Sequence, residues 1–287
     1  PRRIPIPQNK TPRMFHVMAK PTGAECNLDC KYCFFLSKDA LYPGSRFRMS
    51  DALLESYIRQ LMESYQGMDA YIAWQGGEPT LMGIEFFERS VELVNRYKLP
   101  GQNVFHTIQT NGTLLNADWI RFFKKNCFLV GLSMDGPQPF HDAYRLNKGG
   151  VGTFEKVLSA WQLLRSENVD VNILCTVHAA NQNHPHEVYS FFRDELHAEF
   201  IQFIPIVERV TEQNLARANR GWRDSPTDPR PLYTQHGNRV TDRSVDPLSY
   251  GKFLSDIFDE WVKRDVGSVF VSSFDAALAN WMGSPSL

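Results

Sequence analysis

Three of the five cysteines stand within eight residues of one another, as Cys26, Cys30 and Cys33 in the pattern C-x3-C-x2-C. Thiolates are good ligands for soft metals and for iron–sulfur clusters. Structural zinc sites and iron–sulfur clusters usually take four protein ligands, so three closely spaced cysteines leave one metal position open. An odd number of cysteines also argues against a disulfide framework. The pattern therefore indicates a metal centre to which a substrate or cofactor can bind directly.

A zinc site is the alternative to an open iron–sulfur cluster, with Cys127, Cys175 or a histidine as the fourth ligand. Cys127 and Cys175 lie in or beside predicted core elements, so we expect both to be buried, unreactive thiols. His184 and His186 flank Pro185 and are interpreted as loop histidines rather than ligands. The cysteine spacing favours the cluster but leaves zinc open.

The elements that would position this centre alternate between strand and helix. Apolar segments predict six strands, at 15–19, 71–74, 104–109, 128–132, 171–177 and 200–204. Helical spacing of apolar residues, with Ser50, Asn116 and Thr153 as caps, predicts helices at 50–65, 84–97, 116–123, 153–167 and 187–196. The segment that contains 141–145 is expected to be a loop. The alternation predicts an α/β fold, a partial parallel (β/α)6 barrel, with the cysteines after the first strand where such barrels carry chemistry.

We expect the chain to be organised in four segments. They are an N-terminal tail (1–13), the partial barrel (14–210), a polar and partly flexible insert without periodicity (211–247), and a helical extension (248–287). The extension should contain an amphipathic helix at 248–264, a short strand near 269–271 and a last helix near 276–282.

The composition suits a folded protein without an extended charged surface. The chain has 287 residues, of which 43% are hydrophobic and 22% charged, and its formal net charge is −1. This is ample for a buried core. The balanced charge gives no basic surface that would favour binding to nucleic acid or to a membrane. The sequence also shows no apolar run long enough to span a membrane and no signal-peptide pattern at its start. We therefore expect a cytoplasmic protein.

The residues around the cysteines resemble the radical S-adenosylmethionine (SAM) superfamily, through Tyr32, the pair Phe34-Phe35 and the sequence Gly76-Gly77-Glu78-Pro79. Longer phrases resemble its anaerobic sulfatase-maturating enzymes. These phrases are Phe15-His16-Val17-Met18-Ala19-Lys20-Pro21, Trp74-Gln75-Gly76-Gly77-Glu78-Pro79-Thr80-Leu81, Gln109-Thr110-Asn111-Gly112, Gly131-Leu132-Ser133-Met134-Asp135-Gly136-Pro137 and Gln202-Phe203-Ile204-Pro205. The resemblance runs from about Phe15 to the last residue and is thin only across the insert.

The resemblance implies one [4Fe–4S] cluster on Cys26, Cys30 and Cys33, with SAM on its open iron. It also implies a set of cofactor-binding residues: Tyr32, Gly76, Gly77, Glu78, Ser133, Arg145 and Ile206. Gln75 is expected to face a peptide substrate. Taken alone, the glycine pair could be a tight turn, Ser133 a strand-end cap and Arg145 a solvated side chain. A guanidinium does, however, suit a methionine carboxylate in bidentate fashion.

The activity that this resemblance implies is that of a radical SAM oxidoreductase. Reductive cleavage of SAM would generate a 5′-deoxyadenosyl radical, which begins the oxidation of a cysteine or serine in a sulfatase peptide to Cα-formylglycine. The electron would come from a donor such as flavodoxin or ferredoxin, and no nucleic acid or membrane partner is expected. The alternatives are a radical SAM enzyme that forms thioether or carbon–carbon crosslinks, a zinc-binding interaction module, and an inactive truncated homologue.

The sequence also departs from this family. No cysteine follows Cys175, so the family's C-terminal cysteine-rich domain with two further clusters is expected to be absent. The family's proposed proton-accepting aspartate belongs to that region, so we assign no catalytic base. Asp135 and Asp142 are available carboxylates that nothing in the sequence singles out. Phe35 stands where relatives often have tyrosine.

Replacement of Cys30 by alanine tests the metal centre. We expect the anaerobically reconstituted protein to contain iron and sulfide and to change its reduced-cluster spectrum when SAM is added. Cys30→Ala should lose both properties, because two thiolates cannot retain the cluster. Metal analysis that finds one zinc and neither iron nor sulfide would end the radical-enzyme interpretation.

Overall fold

The structure, a computed structural model, describes residues 15–65, 67–222 and 230–284. Its strands are β1 (Val17–Ala19), β2 (Asp69–Trp74), β3 (Asn103–Thr110), β4 (Leu129–Ser133), β5 (Val171–Val177), β6 (Phe200–Pro205), β7 (Arg209–Val210), β8 (Arg239–Val240) and β9 (Phe270–Val271). Its helices are α1 (Asp51–Ser64), α2 (Ile84–Tyr97), α3 (Ala117–Lys125), α4 (Gln138–Tyr144), α5 (Phe154–Ser166), α6 (Pro185–Ser190), α7 (Glu212–Asn219), α8 (Pro247–Arg264) and α9 (Ser272–Trp281). Shorter helical turns are Leu36–Leu41, Pro79–Met82 and Phe191–Glu195. The predicted tail at 1–13 lies outside the described residues.

Seven strands form one parallel sheet in the order β1-β2-β3-β4-β5-β6-β9. Strands β1 to β6 lie side by side in the order in which they occur in the chain. Each connection between them is therefore a crossover, and the carboxyl ends of the strands lie at one edge of the sheet. The predicted α/β fold with a parallel, barrel-type sheet is confirmed. The sheet has one strand more than the six predicted, because the short strand β9 pairs with β6.

Trp74, the last residue of β2, anchors the buried face of the sheet. Its side chain is fully buried. The rings of Tyr57, Phe86 and Phe87 meet it edge to face, with centroids 6.0, 5.7 and 5.6 Å away. Such contacts stabilise beyond the area they bury. Because Gln75 follows directly, this packing sets the position of the loop that leaves β2.

The predicted loop around 141–145 is wrong: residues 138–144 form α4. The helix is short and its apolar residues are few, so it gives no periodic signal, and the burial of Phe140 and His141 stabilises it. Asp142 on α4 accepts hydrogen bonds from the backbone N–H groups of Thr153 and Phe154, at 2.8 and 2.9 Å. Asp142 therefore caps α5, and the Thr153 side chain does not cap the helix as predicted.

The polar segment at 211–247 is more regular than its sequence indicates. Its described part contains α7, and β8 pairs with β7 in an antiparallel ladder. Trp222 and Tyr233 pack against Val210 and Ala218 in a small apolar cluster of their own. The cluster draws its members from positions without periodic spacing, which is why sequence patterns did not reveal it.

The predicted helix and strand after residue 247 are present as α8 and β9. Trp261 of α8 is fully buried, and its indole N–H donates to the carbonyl of Val269 at 2.6 Å. The ring of Phe274 on α9 packs against it, with centroids 5.6 Å apart. No helix among the described residues combines the length and the apolar character that crossing a membrane requires.

Trp261→Ala should lower the free energy of unfolding by about 3–5 kcal/mol, because it leaves a cavity and an unpaired carbonyl. Urea unfolding followed by circular dichroism measures this change. Trp281→Ala is the matched control, since the Trp281 side chain is 88% exposed and its loss should cost no more than about 0.5 kcal/mol. Equal stabilities of the two variants would contradict this account of α8.

Candidate active site

The loop that carries Cys26, Cys30 and Cys33 lies along the carboxyl edge of the sheet, between two sets of backbone contacts. On one side, the N–H groups of Gly77 and Glu78 donate to the carbonyls of Gly23 and Glu25, at 2.8 and 2.9 Å.

On the other side of this loop, the N–H groups of Asp29 and Lys31 donate to the carbonyls of Leu146 and Tyr144, at 2.8 and 2.9 Å. Leu28 and Asn147 also form an isolated antiparallel bridge. The cysteine loop is therefore held by the loop after β2 and by the segment after α4, two parts of the chain that are distant in sequence.

Gly76 and Gly77 are needed for this close approach. A Cβ atom on Gly77 would lie 1.9 Å from the carbonyl oxygen of Glu25, and one on Gly76 would lie 2.9 Å from that of Gly23. Gly76 also has a φ of +129°, a conformation that residues with a side chain rarely adopt. The glycine pair thus permits packing against the protein's own cysteine loop, and both residues also face the cavity described next.

A cavity of about 440 Å³ opens at this edge. All of the predicted site residues except Glu78 line it: Cys26, Cys30, Tyr32, Cys33, Gln75, Gly76, Gly77, Ser133, Arg145 and Ile206. The carboxyl ends of strands β1 to β6, or the loops that follow them, thus converge on one volume. A wider surface groove of about 600 Å³, between α2 and α3, contains none of these residues.

Glu78 lies beneath the cavity wall instead of in it. Its carboxylate is fully buried and accepts hydrogen bonds from the hydroxyls of Thr80 and Thr110, both at 2.7 Å, and from the N–H of Asn111 at 2.8 Å. Burial raises the pKa of Glu78, against the opposing effect of these hydrogen bonds. The carboxylate therefore ties the loops after β2 and β3 together.

The three thiols share one environment. Burial raises the pKa of Cys26 to about 12 and moves that of Cys30 well above its usual value, and the neighbouring Cys33 opposes ionisation of both. Asn111 donates towards the Cys26 sulfur at 3.7 Å, and the Leu28 N–H lies 3.4 Å from the same sulfur. Cys26 and Cys30 thus resist ionisation until a cationic centre binds and releases their protons.

Arg145 belongs to a buried charge network on the opposite wall. Its Nε donates to Asp135 at 2.8 Å, and its guanidinium also approaches the Thr176 hydroxyl at 3.4 Å. Tyr32 donates to the same Asp135 oxygen at 2.6 Å. Burial alone would raise the pKa of Asp135, but Arg145 and the neighbouring His178 hold it well below its usual range. Arg145 is only 8% exposed, so the alternative of a solvated arginine is wrong.

Gln75 and Gln109 form a pair of side-chain amides in the cavity wall, in which the Gln75 Nε2 donates to the Gln109 Oε1. The backbone N–H of Gln75 donates to Ala19 at 2.9 Å. Gln75 follows β2 directly and Gln109 is the second-last residue of β3, so the sheet itself sets their separation. An amide pair of this kind offers donors and acceptors to a peptide backbone.

The segment after residue 229 covers the cysteine loop from outside. The Tyr233 N–H donates to the Ser37 hydroxyl at 3.1 Å, and Lys38 donates to the Tyr233 carbonyl at 2.9 Å. Tyr233 and Gln235 contribute to the cavity wall. Part of the predicted insert therefore completes the site.

The zinc alternative finds little support in the positions of the other cysteines. Cys127 is exposed, contrary to our expectation, and it precedes β4 at the opposite edge of the sheet from Cys26. Cys175 is buried within β5, as expected. In the described part of the chain, no three His, Cys, Asp or Glu side chains are grouped so as to hold a single metal ion.

The donor set fits the cluster and cofactor that the resemblance implies. Three thiols face one cavity, whose volume lies within the roughly 300–1,000 Å³ typical of small-molecule sites. Arg145 offers a guanidinium to a carboxylate, and Ile206 packs with Tyr32 and Tyr144 as an apolar surface suited to a base. Gly76 and Gly77 leave the adjoining wall free of side chains.

Sequence reasoning missed several residues of the site. Asn111 and Asp135 stand inside motifs already recognised, and their positions directly after β3 and β4 were an available signal. Gln109 begins another quoted motif and lies next to the last residue of β3, which was a similar signal. Arg230, which contacts the cysteine loop, gave none, because it lies in a segment without periodicity.

Comparison with known proteins agrees with this geometry. The chain is 41% identical over 269 residues to a serine-type anaerobic sulfatase-maturating enzyme of Bacteroides thetaiotaomicron, covering 93% of this chain and 62% of that protein. It is 34% identical over 271 residues to a cysteine-type anaerobic sulfatase-maturating enzyme of Clostridium novyi, covering 93% of this chain and 66% of that protein. The chain thus spans somewhat less than two thirds of the length of these relatives.

Among solved structures, native anSMEcpe with bound AdoMet superposes with a TM-score of 0.76 and 32% identity, covering 94% of this chain and 68% of that chain. The family model of the Radical SAM superfamily matches residues 21–192, which is more than half of the chain and includes the cysteine loop and strands β2 to β5. The chain belongs to the radical SAM superfamily.

Proposed function

We propose that this chain is the SAM-binding part of an enzyme that oxidises a cysteine or serine of a sulfatase peptide to Cα-formylglycine. The observation that carries the proposal is the similarity over 93% of the chain to two enzymes named for this activity, one of the serine type and one of the cysteine type. The amide pair beside the cysteine cavity supports it independently, because a peptide substrate needs such groups.

Cys26, Cys30 and Cys33 would hold the [4Fe–4S] cluster of the superfamily. When bound, the cluster and SAM supply the reductive carbon–sulfur cleavage from which the family's radical chemistry starts. The residues of this chain bind and orient the reactants. We assign the SAM carboxylate to Arg145, the ribose or carboxylate region to Ser133, and the adenine to Ile206.

The other expected contacts are assigned with one adjustment. Gly76 and Gly77 face the cavity and would meet the methionine amine of SAM through their backbone, and Tyr32 borders the same space. Glu78 would act on that amine only indirectly, through Thr80, Thr110 and Asn111. Its carboxylate lies beneath the wall and already accepts four hydrogen bonds from these three residues.

Asp135 acts through Arg145. A buried guanidinium without a counter-charge would be unstable, and the Asp135 carboxylate both stabilises it and sets its orientation. Nε donates to Asp135 and Nη2 lies 3.4 Å from the Thr176 hydroxyl, which leaves Nη1 for a partner in the cavity. Asp135 is therefore a positioning residue in this proposal, since its carboxylate accepts hydrogen bonds from Arg145, from the Tyr32 hydroxyl and from the Thr176 N–H.

We also propose that a small electron-transfer protein such as flavodoxin or ferredoxin supplies the electron. The position of Cys26 supports an external electron donor, since Cys26 lines the central cavity and also a second pocket of about 630 Å³ on the outer side of the cysteine loop. Asp29, Asp39 and Lys148 line that outer pocket. A donor docked there would be separated from the cluster only by the cysteine loop.

Mass spectrometry of a treated peptide tests the proposed activity. The protein is reconstituted anaerobically and given SAM, a reductant and peptides that contain Cys-x-Pro-x-Arg or Ser-x-Pro-x-Arg. We expect an aldehyde-containing product in which serine has lost two hydrogens, or in which cysteine has lost its sulfur and two hydrogens and gained one oxygen. A thioether or carbon–carbon crosslink as the product would instead support a different peptide-modifying enzyme. SAM consumption with both peptides intact would contradict the proposed substrate.

Arg145→Lys tests the assignment of the SAM carboxylate. The guanidinium of Arg145 can donate to Asp135 and to a ligand in the cavity at the same time, whereas a single ammonium cannot. The variant should therefore lose the charge-assisted hydrogen bond to the SAM carboxylate, which is worth about 1.5–3 kcal/mol. We expect the dissociation constant for SAM to rise about 10- to 100-fold, with the iron content unchanged. Arg165→Lys is the matched control, because Arg165 lies on the surface of α5. An unchanged dissociation constant for Arg145→Lys would refute the assignment.

A further inference from the structure

Arg230 contacts the cysteine loop from a part of the chain about 200 residues away. Its Nη2 donates to the Asp29 carboxylate at 2.8 Å and to the carbonyl of Cys30 at 3.3 Å. Its Nη1 donates to the carbonyl of Cys33 at 3.3 Å. One guanidinium thus holds the backbone of two of the three cysteines together with the aspartate that lies between Cys26 and Cys30.

The segment that follows Arg230, residues 230–246, is anchored firmly enough to hold the guanidinium in place. We call it the clasp. Arg243 within it forms a buried ion pair with Glu208 at 2.6 Å, and the Thr241 N–H donates to the Glu208 carbonyl at 3.1 Å. The Val245 N–H donates to the carbonyl of Ile206 at 2.9 Å. The clasp is therefore attached to the chain directly after β6, beside the cavity.

Arg230 is also placed where its charge acts strongly. Its side chain is 5% exposed, whereas that of its partner Asp29 is 26% exposed. Water screens the charge of Asp29 more than that of Arg230, so the pair leaves a net positive field at the cysteines. Among the residues that the structure describes, none accepts a hydrogen bond from the buried Nε of Arg230, and the terminal nitrogens make its contacts to the cysteine loop.

We propose that Arg230 is a positioning residue for the iron–sulfur cluster: it holds the backbone of Cys30 and Cys33 and raises the reduction potential of the cluster. The inference rests on the three cysteines holding the cluster of the superfamily and not on the oxidation of a sulfatase peptide. None of the family motifs includes Arg230.

The direction of the effect follows from the charge. Three thiolates make the site anionic, and reduction adds one more negative charge to it. A buried, permanently protonated guanidinium stabilises the more negative state more than the less negative one, and so eases reduction. Hydrogen bonds and charges around the ligands are known means by which a protein tunes such a centre.

The test compares two variants of opposite charge effect in the intact, reconstituted protein. Arg230→Gln removes the cation and keeps an amide donor, while Asp29→Asn removes the anion that partly offsets it. The cluster's reduction potential is measured by a redox titration followed by electron paramagnetic resonance, without peptide. Arg239→Gln is the matched control, because Arg239 belongs to the clasp but pairs with Glu212 at the surface.

We expect a more negative potential for Arg230→Gln, a less negative one for Asp29→Asn and no shift for Arg239→Gln. General damage to the fold cannot produce shifts of opposite sign. Arg230→Gln could also lose the cluster while the control stays fully loaded and the secondary structure is retained, and this result would support the positioning role. The shift of the reduction potential in Asp29→Asn would then give the sign of the charge effect.

Equal potentials in Arg230→Gln and the unmodified protein would overturn the proposal, as would a shift of Asp29→Asn in the same direction as that of Arg230→Gln. Because no peptide is present, a failure here is distinct from a failure of the proposed peptide oxidation. Arg230→Lys retains the positive charge, so its reduction potential should lie between those of Arg230→Gln and the unmodified protein.

Discussion

The close approach between the Gly76-Gly77 turn and the backbone before Cys26 is the constraint on which the rest of this site depends. The backbone of the cysteine loop and that of the turn after β2 share two hydrogen bonds at a distance that no side chain would allow. This contact determines where the cysteine loop begins relative to the sheet. The glycine pair is therefore structural first, and the role proposed for it toward the cofactor follows from its place in the cavity wall.

The charges of the site are arranged in two layers. Inside, Asp135 holds Arg145 against the cavity, and outside, Arg230 holds the carbonyls of Cys30 and Cys33. Both guanidinium groups are nearly buried and both have a carboxylate partner, as buried charges require. The metal centre would thus lie between two oriented cations, and this suits a cluster that becomes more negative when it is reduced.

The fold explains why residues from so many motifs meet. In a parallel sheet whose strands follow the order of the chain, every loop at the carboxyl edge adds one short segment to the same volume. Cys26, Gly77, Asn111, Ser133 and Ile206 come from five such segments. Segment 230–246 is the exception, because it reaches this volume from outside the sheet order and closes over the cysteine loop.

The sequence by itself determined the strand–helix alternation and most of the residues that line the cavity, including the three cysteines proposed as metal ligands, because these depend on local spacing and on the edge at which a strand ends. The helices α2 and α8 and the strand β5 follow periodic apolar positions, so their bounds were nearly right. Only the tertiary structure decided that residues 138–144 form a helix and that Cys127 is exposed. It likewise revealed the roles of Asp135 and Arg230. These depend on contacts between distant segments, where burial and a charged partner outweigh local preference and leave no periodic trace in the sequence.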